Sequence, residues 1–237
     1  MLTGVLYGVG VGPGDSLLIT EKGKNALSAS TAVCVPKSKA ERESVALTVA
    51  RPFLPAGVVV VELLFPMTHN EEELSAHWTE AAHKVAALLA EHQAVSFLTI
   101  GDPFLYSTFG YLLQYLRQAC PEARVEVIPG VSSFNAAAAL LQIPLVEKNE
   151  RLAVVPVPLS FAEFSGLAQY VDTIVFLKVS AAYEQTLDML AKSGFAGDTY
   201  LVSRCGGDDE FWTNDPFSLR GQDVDYLSLL IVKRRKR

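Results

Sequence analysis

The sequence predicts an α/β protein built from two α/β domains, and three observations carry that prediction. Apolar β-branched runs alternate with segments of helical periodicity along the 237 residues, the pattern of an α/β layer. Half of the residues are hydrophobic and 19% are charged, enough apolar matter for a substantial core, and the length admits one large domain or two of about 110–120 residues each. The run Ala94-Val95-Ser96-Phe97-Leu98-Thr99-Ile100 passes straight into Gly101-Asp102-Pro103. A stiff, polar-tipped turn at the carboxyl end of a strand is where open α/β sheets bind ligands. A carboxylate there suits a cationic or hydroxyl-bearing small molecule better than a phosphate.

Residues 5–9 read as the first strand, ending in a glycine-rich loop through Gly14, and Thr20 caps a helix to about Ala29. Residues 31–36 form a short strand closed by Pro36; residues 58–65 form a β-branched strand ended by Pro66. The clearest helix is 71–91, where Leu74, Trp78, Ala81, Val85, Leu88 and Leu89 share one face. Met67 and Trp78 read there as core in preference to a ligand wall. After the strand ending at Ile100 come a helix over 111–118 and a strand over 124–128, broken by Pro129-Gly130. The domains are accordingly drawn as 1–129 and 130–237. Ser132 or Ser133 caps an alanine-rich helix. Strands follow near 152–157, 173–179, 199–203 and 227–232, with helices over 161–170 and 183–192. Gly194 stands where a helix stop belongs.

Composition removes several function classes. A net charge of −6 argues against a general nucleic-acid binder, and the basic run Lys233-Arg234-Arg235-Lys236-Arg237 reads as a solvated tail. Cys34, Cys120 and Cys205 are odd in number and widely spaced, unlike a disulfide framework or a thiolate metal site. His69, His77, His83 and His92 lie in or beside one helical stretch without metal-ligand spacing, so no protein-bound metal is expected. Neither a signal peptide nor an apolar run near the ~18 residues of a membrane span is present. The expectation is a soluble cytoplasmic protein with no membrane or nucleic-acid partner.

Gly8-Val9-Gly10-Val11-Gly12-Pro13-Gly14-Asp15 fails as a dinucleotide fingerprint. Pro13 stands three residues beyond Gly10 and Asp15 three beyond Gly12, and Val35-Pro36-Lys37 replaces the acid expected after strand two. The lysine of a phosphate-binding P-loop is missing too. What the glycines offer is a backbone that a bulky ligand can approach closely.

With Thr20 following, this loop, Gly101-Asp102-Pro103 with Tyr106-Ser107-Thr108, and Pro129-Gly130-Val131-Ser132-Ser133 together resemble the class III, tetrapyrrole-type methyltransferases that use S-adenosylmethionine. The resemblance spans nearly the whole chain. Val33-Cys34-Val35-Pro36-Lys37, Phe65-Pro66-Met67-Thr68 and Tyr106-Ser107-Thr108-Phe109 look like the branch that methylates C20 of precorrin-2 or its cobalt counterpart in cobalamin biosynthesis. Ser16-Leu17 departs from the Pro-Glu usual after the first motif's Asp, which puts a local helix start in question.

The resemblance implies a cofactor folded in a cleft between two domains, and homodimers. It implies cofactor contacts from Val11, Gly101, Asp102 and Leu105, from Ser132 and Ser133, and from Leu177, Val202 and Leu229. The last three are apolar strand residues for which a core role is an equal alternative. Asp102 can accept hydrogen bonds from the cofactor's hydroxyls or ammonium; its alternative is to cap the following helix. Gly12, Pro13, Lys37 and Arg204 are the substrate-side candidates, because a many-carboxylate ring needs local cations on an acidic protein. Lys39, Arg42, Arg51, Lys148 and Arg151 are further cations near strand or helix ends. The implied reaction is an in-line methyl displacement by a ring carbon, with Asp102 or Glu62 as the acceptor of the proton lost. Alternatives left open are a same-fold methyltransferase acting on another ring position, a protein residue or ribosomal RNA, a nicotinamide oxidoreductase, and a non-catalytic tetrapyrrole carrier.

Overall fold

A computed structural model describes residues 4–37, 44–66, 68, 70–195 and 197–235. Lys39, Arg42, Met67, His69 and the last two basic residues, Lys236 and Arg237, lie outside the described residues. The chain divides into two compact units, Met1–Ser132 and Ser133–Arg237.

The first unit holds five strands, β1 (Val5–Gly10), β2 (Ala32–Lys37), β3 (Val59–Leu64), β4 (Ala94–Thr99) and β5 (Arg124–Ile128). They are all parallel, in the order β3-β2-β4-β1-β5. Every residue of the central β4 is buried, Ser96 and Thr99 included, as a mostly apolar run predicts for a strand covered on both faces. Helices α1 (Glu21–Ala29), α2 (Val45–Ala50), α3 (Glu71–Glu91) and α4 (Phe109–Ala119) supply that cover. On one face Trp78, Val85 and Leu89 of α3 and Leu112 and Leu116 of α4 pack on Leu6 and Phe97. On the other, Ala26 and Leu27 of α1 and Val49 of α2 pack on Val9, Val33 and Leu98.

Local chemistry sets the helix starts. Thr20 Oγ1 accepts from Gly23 N at 3.1 Å, as the sequence suggests, and Asn70 Oδ1 accepts from Glu72 N and Glu73 N at the head of α3. Three glutamates in that first turn complement the positive end of the helix dipole.

The second unit contains α5 (Ser133–Leu141), β6 (Leu152–Pro156), α6 (Phe161–Ala168), β7 (Thr173–Leu177), α7 (Tyr183–Ser193), β8 (Gly197–Ser203), β9 (Phe211–Thr213) and β10 (Ser228–Arg234). Its sheet runs β6-β7-β10-β8-β9. β6 and β7 are parallel, and β10 lies antiparallel to both its neighbours. α5 covers one face through Ala137 against Val175, Val202, Leu229 and Ile231. Phe164 of α6 and Leu187 and Leu190 of α7 cover the other, against Phe176, Leu201 and Leu230. Gly194 closes α7 at φ 65°.

The α/β reading holds, with elements added and several strand ends moved by one or two residues. α2 and β9, of six and three residues, were not predicted, because neither is long enough to display a period. The strand expected over 173–179 stops at Leu177, since Lys178 turns left-handed at φ 58°.

Candidate functional site

Three loops meet at the carboxyl edge of the first unit's sheet. Val11 N donates to Thr99 O at 2.9 Å, and Gly101 N donates to Gly12 O at 2.8 Å, so the loops after β1 and β4 are paired to each other. Gly12 and Gly101 sit at φ +77° and +71°, conformations that residues with a Cβ rarely adopt. The loop after β5 closes on both. A Cβ on Gly130 would lie 2.1 Å from Gly101 O and 2.8 Å from Gly10 Cα, and one on Gly10 would lie 2.5 Å from Gly101 O. No side chain fits there; the edge is main chain packed on main chain.

Asp102 joins the same loops. Its Oδ1 accepts from Phe104 N at 2.9 Å and its Oδ2 from Gly130 N at 3.1 Å, while the carboxylate remains half-buried. It does not cap α4. Thr108 occupies that helix's N-cap position, and Ser107 Oγ, bonded to Thr99 Oγ1 at 2.9 Å, accepts from Phe109 N. The carboxylate thus holds two strand-end loops in register and keeps lone pairs for further donors.

The neighbouring candidates divide by what they present. Val11 is fully buried among residues of α1 and α2, so its backbone alone is on offer. Gly12 and Pro13 are buried, and Leu105, Ser132 and Ser133 are half-buried. Asp15 Oδ1 accepts from Leu17 N at 2.7 Å and starts a single helical turn over Ser16–Leu18. The unusual Ser16-Leu17 pair therefore still begins a turn, with Leu17 76% exposed.

Two proposed roles meet in one ion pair. Lys37 ends β2, and its Nζ stands 2.6 Å from Glu62 Oε1, with the lysine side chain 13% exposed. The candidate carboxylate partner and one candidate proton acceptor therefore face each other. Arg204, immediately after β8, has Nη1 3.2 Å from Asp225 Oδ2 and Nε 3.6 Å from Asp209 Oδ2. Its guanidinium is held between two acids.

In the second unit, Leu229 stands opposite Leu177 on β7 and opposite Val202 on β8. The three residues form a row on one face of the sheet. Val202 and Leu229 are buried in the α5 core, while Leu177 is half-buried.

Sequence reasoning missed two residues at these edges, Tyr106 and Lys178. Both hold positive φ, 51° and 58°, as does Arg204 at 50°. Such backbone strain in residues bearing a Cβ clusters at functional sites. Lys178 follows β7 as Arg204 follows β8, and both strands run antiparallel to β10, so the two cations lie at the same sheet edge. Nothing in a lysine or tyrosine codon announces a left-handed backbone.

Cys34 and Cys205 are not poised as nucleophiles. Burial pushes Cys34 up to about 12, and burial followed by the nearby Glu210 carboxylate pushes Cys205 up to about 11. Among the described residues no group of three His, Cys, Asp or Glu converges as metal ligands, and no helix is long and apolar enough to cross a membrane. The first unit's edge offers main-chain donors and acceptors and one carboxylate. That is equipment for positioning a small molecule.

Comparison with known proteins agrees on one family. A model described as Tetrapyrrole (Corrin/Porphyrin) Methylases matches residues 5–217. A relative from Methanocaldococcus jannaschii, a probable cobalt-precorrin-2 C(20)-methyltransferase, is 37% identical over 237 residues, covering 98% of this chain and 97% of its own. The cobalt-precorrin-2 C(20)-methyltransferase of Salmonella typhimurium is 34% identical over 235 residues, covering 99% and 98%. Among solved structures, the uroporphyrin-III C-methyl transferase of Thermus thermophilus complexed with S-adenyl homocysteine superposes with a TM-score of 0.69 over 97% of both chains. At 22% identity that likeness speaks for the fold.

Proposed function

This chain belongs to the tetrapyrrole (corrin/porphyrin) methylases, and from that premise we propose that it transfers the methyl group of S-adenosylmethionine to C20 of a precorrin-2-type ring in cobalamin biosynthesis. The two full-length relatives are named for the cobalt-bearing ring, and cobalt-precorrin-2 is accordingly the substrate put forward. The observation that carries the reading is the interlocked edge of Gly10, Gly12, Gly101 and Gly130 around the Asp102 carboxylate.

That edge fits the cofactor. At Gly10 and Gly130 the space of a Cβ is taken by main chain, but at Gly101 nothing lies within 4 Å of it, which allows close approach of a folded nucleoside. Asp102 accepts from the cofactor's hydroxyls or ammonium on the lone pairs left by Phe104 N and Gly130 N. Gly101, Leu105, Ser132, Ser133 and the backbone of Val11 complete the proposed contacts; of the three proposed from the second unit, Val202 and Leu229 are buried against α5 and offer backbone alone, while Leu177 is half-buried. When bound, S-adenosylmethionine supplies a methyl group on a cationic sulfur, an electrophile that needs no side-chain nucleophile opposite it.

Gly12 and Pro13 are assigned to the ring, and Lys37 and Arg204 to its carboxylates. The acidic partners of these cations keep them in place until a substrate carboxylate competes. Positioning of two reactants is worth about 7–11 kcal/mol of barrier, enough to dominate catalysis by a site without a nucleophile. Asp102 is retained as the proposed proton acceptor, since Glu62 is already paired with Lys37. Homodimeric assembly belongs to the same proposal, supported by Val59, Val60 and Leu64 standing exposed on the edge strand β3; so does a cytoplasmic location, supported by the soluble biosynthetic character of the family.

The test is incubation with methyl-labelled S-adenosylmethionine and either precorrin-2 or cobalt-precorrin-2, followed by mass spectrometry and NMR. The reading requires one label per ring at C20, with faster turnover of the cobalt form. Label at another ring carbon, or none, overturns it.

A further inference from the structure

Tyr106-Ser107-Thr108 follows the Gly101-Asp102-Pro103 turn, and the fold accounts for its serine. Ser107 Oγ bonds Thr99 Oγ1 at 2.9 Å and accepts from Phe109 N at 3.1 Å, which ties the loop to the end of β4 and the head of α4. Tyr106 needs another explanation. It stands at φ 51°, a left-handed backbone that is costly for a residue bearing a Cβ. The other left-handed residues described in the first unit, Gly12, Gly57 and Gly101, are glycines. A glycine would make the same turn without strain, so the turn by itself does not call for a tyrosine.

Nor is the side chain buried for the sake of the core. Tyr106 is 47% exposed, while the loop around it is fixed. Phe104 N donates to Asp102 Oδ1 at 2.9 Å, and Leu105 N donates to Asp102 O at 3.3 Å. Phe104 and Tyr106 are exposed, and Leu105 between them is half-buried. A phenol is thus held out on a braced loop at the carboxyl end of the central strand, where α/β sheets bind ligands. Such bracing lowers the ordering cost of a contact.

We propose that Tyr106 is a specificity residue for the tetrapyrrole and lays its aromatic face on the macrocycle beside the Asp102 turn. The proposal rests on the reading that a precorrin-2-type ring is the substrate. Chemistry selects that occupant. The ring is flat, apolar on its faces, and carries its carboxylates on the rim. No charged residue occurs from Pro103 to Leu116, in a chain whose net charge is −6, so a polyanion meets no acid along this stretch. A phenol offers a flat apolar body to such a face.

Strain separates this role from a structural one. Wild type, Tyr106→Phe, Tyr106→Ala and Tyr106→Gly are compared as full chains by thermal melting and by calorimetry with S-adenosylhomocysteine. Ring affinity is read by absorbance titration with cobalt-precorrin-2, and turnover with methyl-labelled S-adenosylmethionine. Tyr106→Gly is expected to melt no lower than Tyr106→Ala, because glycine relieves the left-handed backbone, and all three variants keep wild-type affinity for S-adenosylhomocysteine. Ring affinity falls about tenfold in Tyr106→Ala and Tyr106→Gly, the scale of one lost base–aromatic stack, and stays near wild type in Tyr106→Phe; KM moves with it.

Wild-type ring affinity in Tyr106→Gly overturns the proposal. So does a Tyr106→Gly protein that melts below Tyr106→Ala and loses S-adenosylhomocysteine as well, since the tyrosine is then a brace. Neither result touches the methyltransferase reading. A ring that wild type binds and never methylates, and that Tyr106→Gly binds more weakly, overturns the activity and leaves the contact standing. No ring binding by the wild type overturns both.

Discussion

The two units build their candidate edges from opposite materials. In the first, the edge is main chain: Gly10, Gly101 and Gly130 approach until a single Cβ would lie 2.1–2.5 Å from the Gly101 carbonyl oxygen, and one side chain, Asp102, stitches the loops together. In the second, the edge is side chain: Leu177, Leu229 and Val202 stand in register across three strands. The contrast teaches where each edge is fragile. A main-chain interlock fails when an atom is added, because backbone cannot rotate out of the way. An apolar row fails gradually as atoms are removed, because each neighbour retains part of its packing.

The largest expected effect tests the first half of that contrast. Gly130→Ala forces Gly101 O away from a contact of 2.1 Å. It should cost about 3 kcal/mol, the upper end of overpacking penalties, and abolish S-adenosylhomocysteine binding by calorimetry. A stable Gly130→Ala that still binds would show that the interlock does not shape the edge. Leu229→Ala, at a residue 3% exposed, should cost about 3 kcal/mol in urea unfolding while weakening rather than abolishing binding. Complete loss of binding there would erase the distinction between the edges.

Asp102→Asn has a smaller effect on stability. Its amide can accept at one oxygen only, so either Phe104 N or Gly130 N loses its partner. The cost is about 2 kcal/mol, with a tenfold or greater loss of cofactor affinity. Wild-type affinity in that variant would remove the carboxylate from the site.

Tyr183→Phe is the mildest and lies away from both edges. Burial, reinforced by Glu184, raises Tyr183 from its ordinary 10 to about 12. The native protein therefore keeps a proton that the unfolded chain releases near pH 10. That contribution is complete below pH 10 and lost as pH climbs through about 12. Tyr183→Phe should be about 1 kcal/mol less stable at pH 8 and show a shallower decline between pH 10 and 12. Parallel alkaline profiles for the two proteins would sink this assignment.

Much of the architecture was legible because it is local. The 21-residue α3 carries its own periodicity and its Asn70 cap; β4 is a mostly apolar run; Gly194 supplies the left-handed stop of α7. The candidate edge was legible in part for the same reason, since Gly101-Asp102-Pro103 directly follows a strand. The partners were not. Glu62 lies 25 residues from Lys37 and Gly130 lies 28 from Asp102, and the pairings exist because parallel strands bring their carboxyl ends together.

By itself, then, the sequence determined the α/β alternation, the glycine loops and the acid at a strand end, since periodicity, backbone freedom and turn chemistry act over a few residues. Tertiary structure alone decided that Asp102 braces two loops instead of capping α4, that Lys37 meets Glu62, and that Leu229 lines up with Leu177 and Val202. Those facts depend on strand order and register, which arise when distant segments bury their apolar faces together and which no short window of sequence contains.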